Sequence, residues 1–239
     1  MATEYAFGQI VTSGLVLSLN AADRNSYPGS GTSWRDMSGN GINGTLVNGP
    51  TFNSANGGSI VYDGTDDSTT FASNSVINFL NVDPFTIEIW GNLQTLQAGA
   101  RMMVSRENSI VVGRDGYNLI LANMTESTVQ FSAERFASNV QTGANAFLAT
   151  SLVLQKWGQF LSTYDGNFYR MYFNGVLQST SIQITSNITN TTTTLAVGSR
   201  SNGFNNINMA ISSVKMYNRA LSASEVAQNY NAQKSRFGL

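Results

Sequence analysis

Residues 159–175 read Gln159-Phe160-Leu161-Ser162-Thr163-Tyr164-Asp165-Gly166-Asn167-Phe168-Tyr169-Arg170-Met171-Tyr172-Phe173-Asn174-Gly175. Two runs rich in aromatic and β-forming residues, Gln159–Tyr164 and Tyr169–Phe173, are each followed by a turn sequence that tolerates positive φ, Asp165-Gly166-Asn167 and then Asn174-Gly175. The pattern is strand, hairpin, strand, hairpin, strand, which is the grammar of an antiparallel meander. Outward from it the same grammar recurs. Gly14-Leu15-Val16-Leu17-Ser18-Leu19-Asn20 alternates at period two, and so does Phe85-Thr86-Ile87-Glu88-Ile89-Trp90, with Phe85, Ile87 and Ile89 on one face and Glu88 on the solvent face. Further strands are predicted over Ser59–Tyr62, Arg101–Ser105, Tyr117–Ala122, Val129–Arg135, Ser151–Val153 and Thr194–Gly198, with Asp63-Gly64 and Asp115-Gly116 as turns. Ser186–Thr194 reads as an exposed polar loop. Many short strands with regular turns predict an all-β chain folded as an antiparallel β-sandwich or barrel.

A single short helix is expected near the C-terminus. Ser222 or Ser224 caps it, Glu225 sits in its first turn where a negative charge suits the helix dipole, and Leu221, Val226 and Tyr230 anchor it. At 239 residues the chain fits one sandwich domain, placed at 14–239. Residues 1–13, with Tyr5, Phe7 and Ile10, form either a lead-in strand or an apolar arm that docks on a neighbouring subunit.

Composition narrows the function. Charged residues make up only 11% of the chain, with 13 basic against 14 acidic, so no field attracts a polyanion and nucleic acid is excluded as a partner. The absence of cysteine and histidine removes thiolate ligands, the commonest general base and the usual partner of a nucleophilic serine. No apolar run approaches a membrane span, and the first fourteen residues lack a basic segment followed by an apolar core, so neither a membrane protein nor a secreted precursor is expected. The sequons at Asn43, Asn123, Asn187 and Asn190 read as coincidence in a chain rich in Asn and Thr.

Three ordered segments carry a family resemblance. Trp34-Arg35-Asp36-Met37-Ser38-Gly39-Asn40-Gly41-Ile42-Asn43-Gly44-Thr45-Leu46, Gly58-Ser59-Ile60-Val61-Tyr62-Asp63-Gly64-Thr65-Asp66-Asp67, and Ile211-Ser212-Ser213-Val214-Lys215-Met216-Tyr217-Asn218-Arg219-Ala220-Leu221-Ser222 with Glu225 resemble the concanavalin A-like lectin/glucanase superfamily, in its laminin-G-like branch. The resemblance implies a concanavalin A-like jelly roll. The tail from Tyr230 to Leu239 is similar to endings of tailed-bacteriophage structural proteins that carry this domain. It implies a non-catalytic virion protein, a capsid decoration or tail adhesin component, made in the host bacterial cytoplasm and exposed on the virion surface beside capsid or tail proteins. The alternative is a calcium-dependent carbohydrate-binding module of a bacterial surface protein, with cell-surface glycans as partners.

Candidate residues follow from these readings. A glucanase would need paired carboxylates on an E-x-D-x-x-E strand; Glu88 lacks that spacing, and Glu107, Glu126 and Glu134 stand apart from suitable partners. A structural Ca2+ would draw oxygens from Asp36 and Asn40 in one turn, from Asp63, Asp66 and Asp67 in another, and from Asp23 if the early loops converge. Equally, Asp36 and Asn40 bond their own loop, Asp63 opens a tight turn, and Asp23 caps a turn or pairs with Arg24. Sugar recognition needs an aromatic platform beside amides and carboxylates, and Tyr164, Asp165, Asn167, Phe204, Asn205 and Asn206 offer these groups in or beside loops. Trp90 and Trp157 read as core anchors. A homo-oligomer joined through sheet edges is also open, because few charges guard such edges.

Overall fold

The computed structural model describes residues 8–107, 114–137, 140–184, 187–189 and 192–239. In chain order its first eight strands are β1 (Leu15–Asn20), β2 (Ser33–Trp34), β3 (Gly44–Val47), β4 (Thr51–Asn53), β5 (Ser59–Asp63), β6 (Ser68–Phe71), β7 (Phe85–Leu93) and β8 (Arg101–Glu107). Then come β9 (Gly116–Ala122), β10 (Thr128–Ala137), β11 (Val140–Ala149), a single helical turn α1 (Thr150–Val153), β12 (Trp157–Tyr164), β13 (Tyr169–Phe173) and β14 (Val176–Thr180). The chain closes with β15 (Ala196–Val197), β16 (Asn208–Tyr217) and helix α2 (Ala223–Gln233).

The strands make two antiparallel sheets. One runs β14-β13-β12-β7-β16-β5-β4, with β1 paired to the other stretch of β16; the second runs β11-β10-β9-β8-β15-β6-β3-β2. The meander over β12, β13 and β14 stands as expected. Asn174 and Gly175 both take positive φ, 50° and 76°, which matches the twist of the flanking strands. Inward-facing side chains of both sheets, among them Leu17, Ile60, Phe85, Ile87, Ile89, Leu119, Phe131 and Phe160, merge into one buried core. The architecture is the expected β-sandwich with one short C-terminal helix. No helix among the described residues is long and apolar enough to cross a membrane.

Helix α2 begins at Ser222, whose hydroxyl accepts from the Glu225 amide while the Glu225 carboxylate accepts from the Ser222 amide, a complete capping box. The helix and the tail after it cover the outer face of β7. There Trp90 stacks on Phe237 at 4.5 Å and on Tyr230 at 5.8 Å, and Trp157 tilts against Phe237 at 4.7 Å. This cover corrects the placement of Glu88 on a solvent face. Its side chain is fully buried and accepts from Lys215 Nζ at 3.1 Å, Asn229 Nδ2 at 2.7 Å and Gln233 Nε2 at 3.1 Å.

Two further expectations need correction. Ser151–Val153 is not a strand but part of α1, because the chain must turn there from β11 in one sheet to β12 in the other. Strand β11, in turn, has no counterpart among the predicted strands. Residues 9–13 pack as a lead-in: the Val11 amide donates to Asn229 Oδ1 at 2.8 Å and its carbonyl accepts from the Tyr217 hydroxyl at 3.1 Å. Tyr5, Phe7, Asn190 and Ser186 lie outside the described residues.

Candidate functional site

Strands β9, β10 and β11 each alternate a core face with an outer face. Leu119, Leu121, Val129, Phe131, Ala133, Ala144, Ala146 and Leu148 point into the core, which leaves Asn118, Glu134, Asn145 and Phe147 on the outside. Register aligns them. Glu134 lies between Asn118 of β9 and Gly143 of β11, and Ser132 lies opposite Asn145. At Gly143 the strands approach so closely that a side chain would run into the Ala133 carbonyl oxygen. The missing side chain leaves a cleft of about 260 Å³ lined by Glu134, Gln141, Thr142, Gly143 and Asn145.

The cleft is polar, and an exposed aromatic ring stands farther along the same face of β11. Gln141 Nε2 donates to Glu134 Oε1 at 2.8 Å, and Phe147, two residues beyond Asn145 on the same face, is 68% exposed. Such exposure of a phenyl ring leaves a flat apolar surface next to hydrogen-bonding groups. Burial pushes the Glu134 carboxyl above the usual range; Arg114 opposes the shift and the Glu107 charge adds to it.

Glu107 and Glu134 therefore do not stand apart, as the sequence suggested, but share one face on either side of Asn118. Their environments differ. Glu107 is fully buried and is held by Arg114 at 2.8 Å, Arg200 at 2.9 Å and Asn118 Nδ2 at 2.7 Å, with the Arg114 guanidinium lying over the Phe136 ring. Two guanidinium partners and an amide keep this carboxylate occupied. It braces the face that carries the cleft.

The residues singled out for sugar binding separate into two groups, with no hydrogen bond or ring contact between them among the described residues. Tyr164 is fully buried, packed against Tyr169 at 4.9 Å and under the Arg135 guanidinium at 4.5 Å, and its hydroxyl donates to the Gly166 carbonyl. Asp165 closes the hairpin by accepting from the Asn167 and Phe168 amides and from Arg170; these contacts hold its carboxyl below the usual range against the effect of burial. Asn167 Oδ1 accepts from Gln183. Phe204 is exposed, Asn205 donates to the Ala100 carbonyl, and buried Asn206 donates to the Asp67 carbonyl.

The candidate calcium ligands also divide. Asp36 has both carboxylate oxygens engaged: Oδ1 accepts from the Ser18 and Ser38 amides, and Oδ2 from the Ser38 hydroxyl and the Ile42 amide. Asn40 Nδ2 donates to the Val16 carbonyl at 3.0 Å. Asp23 closes a turn of its own through the Asn25 amide. Only Asp63, Asp66 and Asp67 come together, with one oxygen from each within 4.8 Å of the others. Burial raises the Asp67 carboxyl, and the neighbouring Asp63 and Asp66 charges raise it further. This set suits a hard cation in chemistry, with the backbone and water needed to complete six to eight oxygens.

Two antiparallel sheets packed as this sandwich, closed by a short C-terminal helix, define a lectin-like fold. Residues 63–227 match the laminin-G-like family model of the concanavalin A-like lectin/glucanases superfamily, and the chain belongs to that family. No curated protein sequence matches it. Among solved structures, the binding domain of Paraclostridial Mosquitocidal Protein 1 is similar with a TM-score of 0.66 at 18% identity over 92% of this chain and 52% of that one. The botulinum neurotoxin serotype D binding domain gives 0.69 at 16% identity over 93% and 53%. The binding domain of botulinum neurotoxin DC in complex with SialylT gives 0.68 at 17% identity over 93% and 52%. The chain spans about half the length of these structures, and at such identities the likeness establishes the fold alone.

Proposed function

We propose that this domain recognises glycans without cleaving them, through the outer face of β10 and β11. The observation that carries the reading is the exposed Phe147 ring beside the cleft formed by Glu134, Gln141 and Asn145. A sugar ring offers an apolar face and a fringe of hydroxyls, which match a phenyl platform and amide or carboxylate partners. Glycosidic cleavage needs two carboxylates that can exchange a proton, and the carboxylate nearest Glu134 on this face, Glu107, is already paired with Arg114 and Arg200. The complex of a similarly folded domain with SialylT supports a glycan as ligand.

The domain is displayed on a bacteriophage particle, as a tail adhesin component or capsid decoration. A surface poor in charge and the phage-like ending of the chain support this location. Locating the protein in purified particles by electron microscopy tests it, and absence from intact particles contradicts it. A structural Ca2+ sits at Asp63, Asp66 and Asp67. Calcium bound only to the folded chain must raise its stability. EDTA should therefore lower the Tm of the wild-type protein but leave that of Asp66→Asn unchanged, whereas an unmoved wild-type Tm rules the ion out.

A further inference from the structure

The molecule treats its sheet edges unequally. β2 and β4, at one flank, are only two and three residues long. The free side of β1 is occupied by the turn after Trp34: the Met37 amide donates to the Ser18 carbonyl, Asp36 takes the Ser18 amide, and Ser38 and Asn40 both donate to the Val16 carbonyl. Short or covered edges are how sandwiches avoid pairing with one another. At the other flank β11 offers ten residues, VQTGANAFLA, and β14 five, VLQST, with no charged residue in either. Each strand ends its sheet among the described residues. Val140, Phe147, Leu152, Val176, Leu177 and Ile182, on or directly after these strands, are all exposed.

We propose that β11 pairs antiparallel with β11 of a second copy of this chain about a two-fold axis, joining the two sheets into one. A strand without charges places no like charges opposite each other in any register of self-pairing. Its faces also match across the axis, because Ala144, Ala146 and Leu148 of each copy continue the core side while Asn145 and Phe147 continue the outer side. An isologous contact of this kind closes the β11 edge of both copies at once, so that this edge cannot propagate into a chain of molecules. One consequence rests on the glycan-binding reading: the two clefts come to lie side by side on one continuous surface, so that weak single contacts add as a bivalent one.

Sedimentation velocity of the full chain over a concentration series tests the pairing without any ligand. The wild-type protein is expected to sediment as a dimer. The double variant Val140→Lys/Ala149→Lys, which sets lysines along the edge, should weaken the dimer by about tenfold or more with little change in Tm. Thr51→Lys, on β4 at the far flank, should leave it intact. A monomeric wild type, a dimer indifferent to the two lysines, or one broken by Thr51→Lys overturns the proposal. If the double variant fails to fold, hydrogen exchange on the wild type decides: protection of the β11 amides must rise with protein concentration, and protection that ignores concentration overturns the pairing.

Discussion

Glu134 faces the cleft with its carboxyl raised above the ordinary value of 4.5, chiefly by burial. Because the ionised form is less favoured in the folded chain than in the unfolded one, Glu134 costs nothing at low pH and destabilises the fold as pH rises through the folded-state value. The Tm of Glu134→Gln should therefore gain on that of the wild type between about pH 4 and about pH 8, and a constant difference would contradict this. Glu225 has the opposite sign. Arg219, followed by the Ser222 amide, holds it down at about 2, so its contribution is present above 4.5 and is lost as pH falls through about 2. At this scale the sequence was legible where a residue acts on its own neighbours, as Ser222 and Glu225 do. It was opaque where burial decides: nothing in Tyr164 itself announces that Arg135 and Tyr169 enclose its ring, or in Glu88 that a helix arriving from residue 223 covers it.

Strands and turns show the same division. Tyr169–Phe173 and its flanking turns were readable because aromatic residues and Asn-Gly signal locally. β11 was missed because Ala, Gly and Asn are poor strand formers, and its only sign is the period-two order Gln141, Gly143, Asn145, Phe147. That order also held the signal for the cleft, since it sets two amides, a gap and an aromatic ring on one face. The Trp34–Leu46 segment was recognisable, yet its work as cover for β1 depends on Ser18 and Val16, strands away in the reading. Asp36→Ala, which orphans the Ser18, Ser38 and Ile42 amides, should cost about 1–3 kcal/mol and speed hydrogen exchange at Ser18. Denaturant unfolding measures the first effect, and an unchanged midpoint would show that the turn does not hold the edge.

For the whole molecule, two sheets and a closing helix were foreseeable, but their order was not, because neighbours such as β7 and β16 are far apart in the chain. The C-terminal aromatic cluster ties that order together by seating Phe237 between Trp90 and Trp157. Phe237→Ala should destabilise the fold by about 3–5 kcal/mol in denaturant unfolding, and a loss below about 1 kcal/mol would mean that the tail lies loosely on the sheet. The central claim, that the face carrying the cleft binds glycans without cutting them, is tested most directly on a glycan array. The wild-type protein is expected to bind a defined subset of glycans and release no cleaved product, and Asn145→Ala/Phe147→Ala to lose that binding while keeping its Tm. Binding that survives both substitutions, or no binding by the wild type to any glycan, would contradict the account.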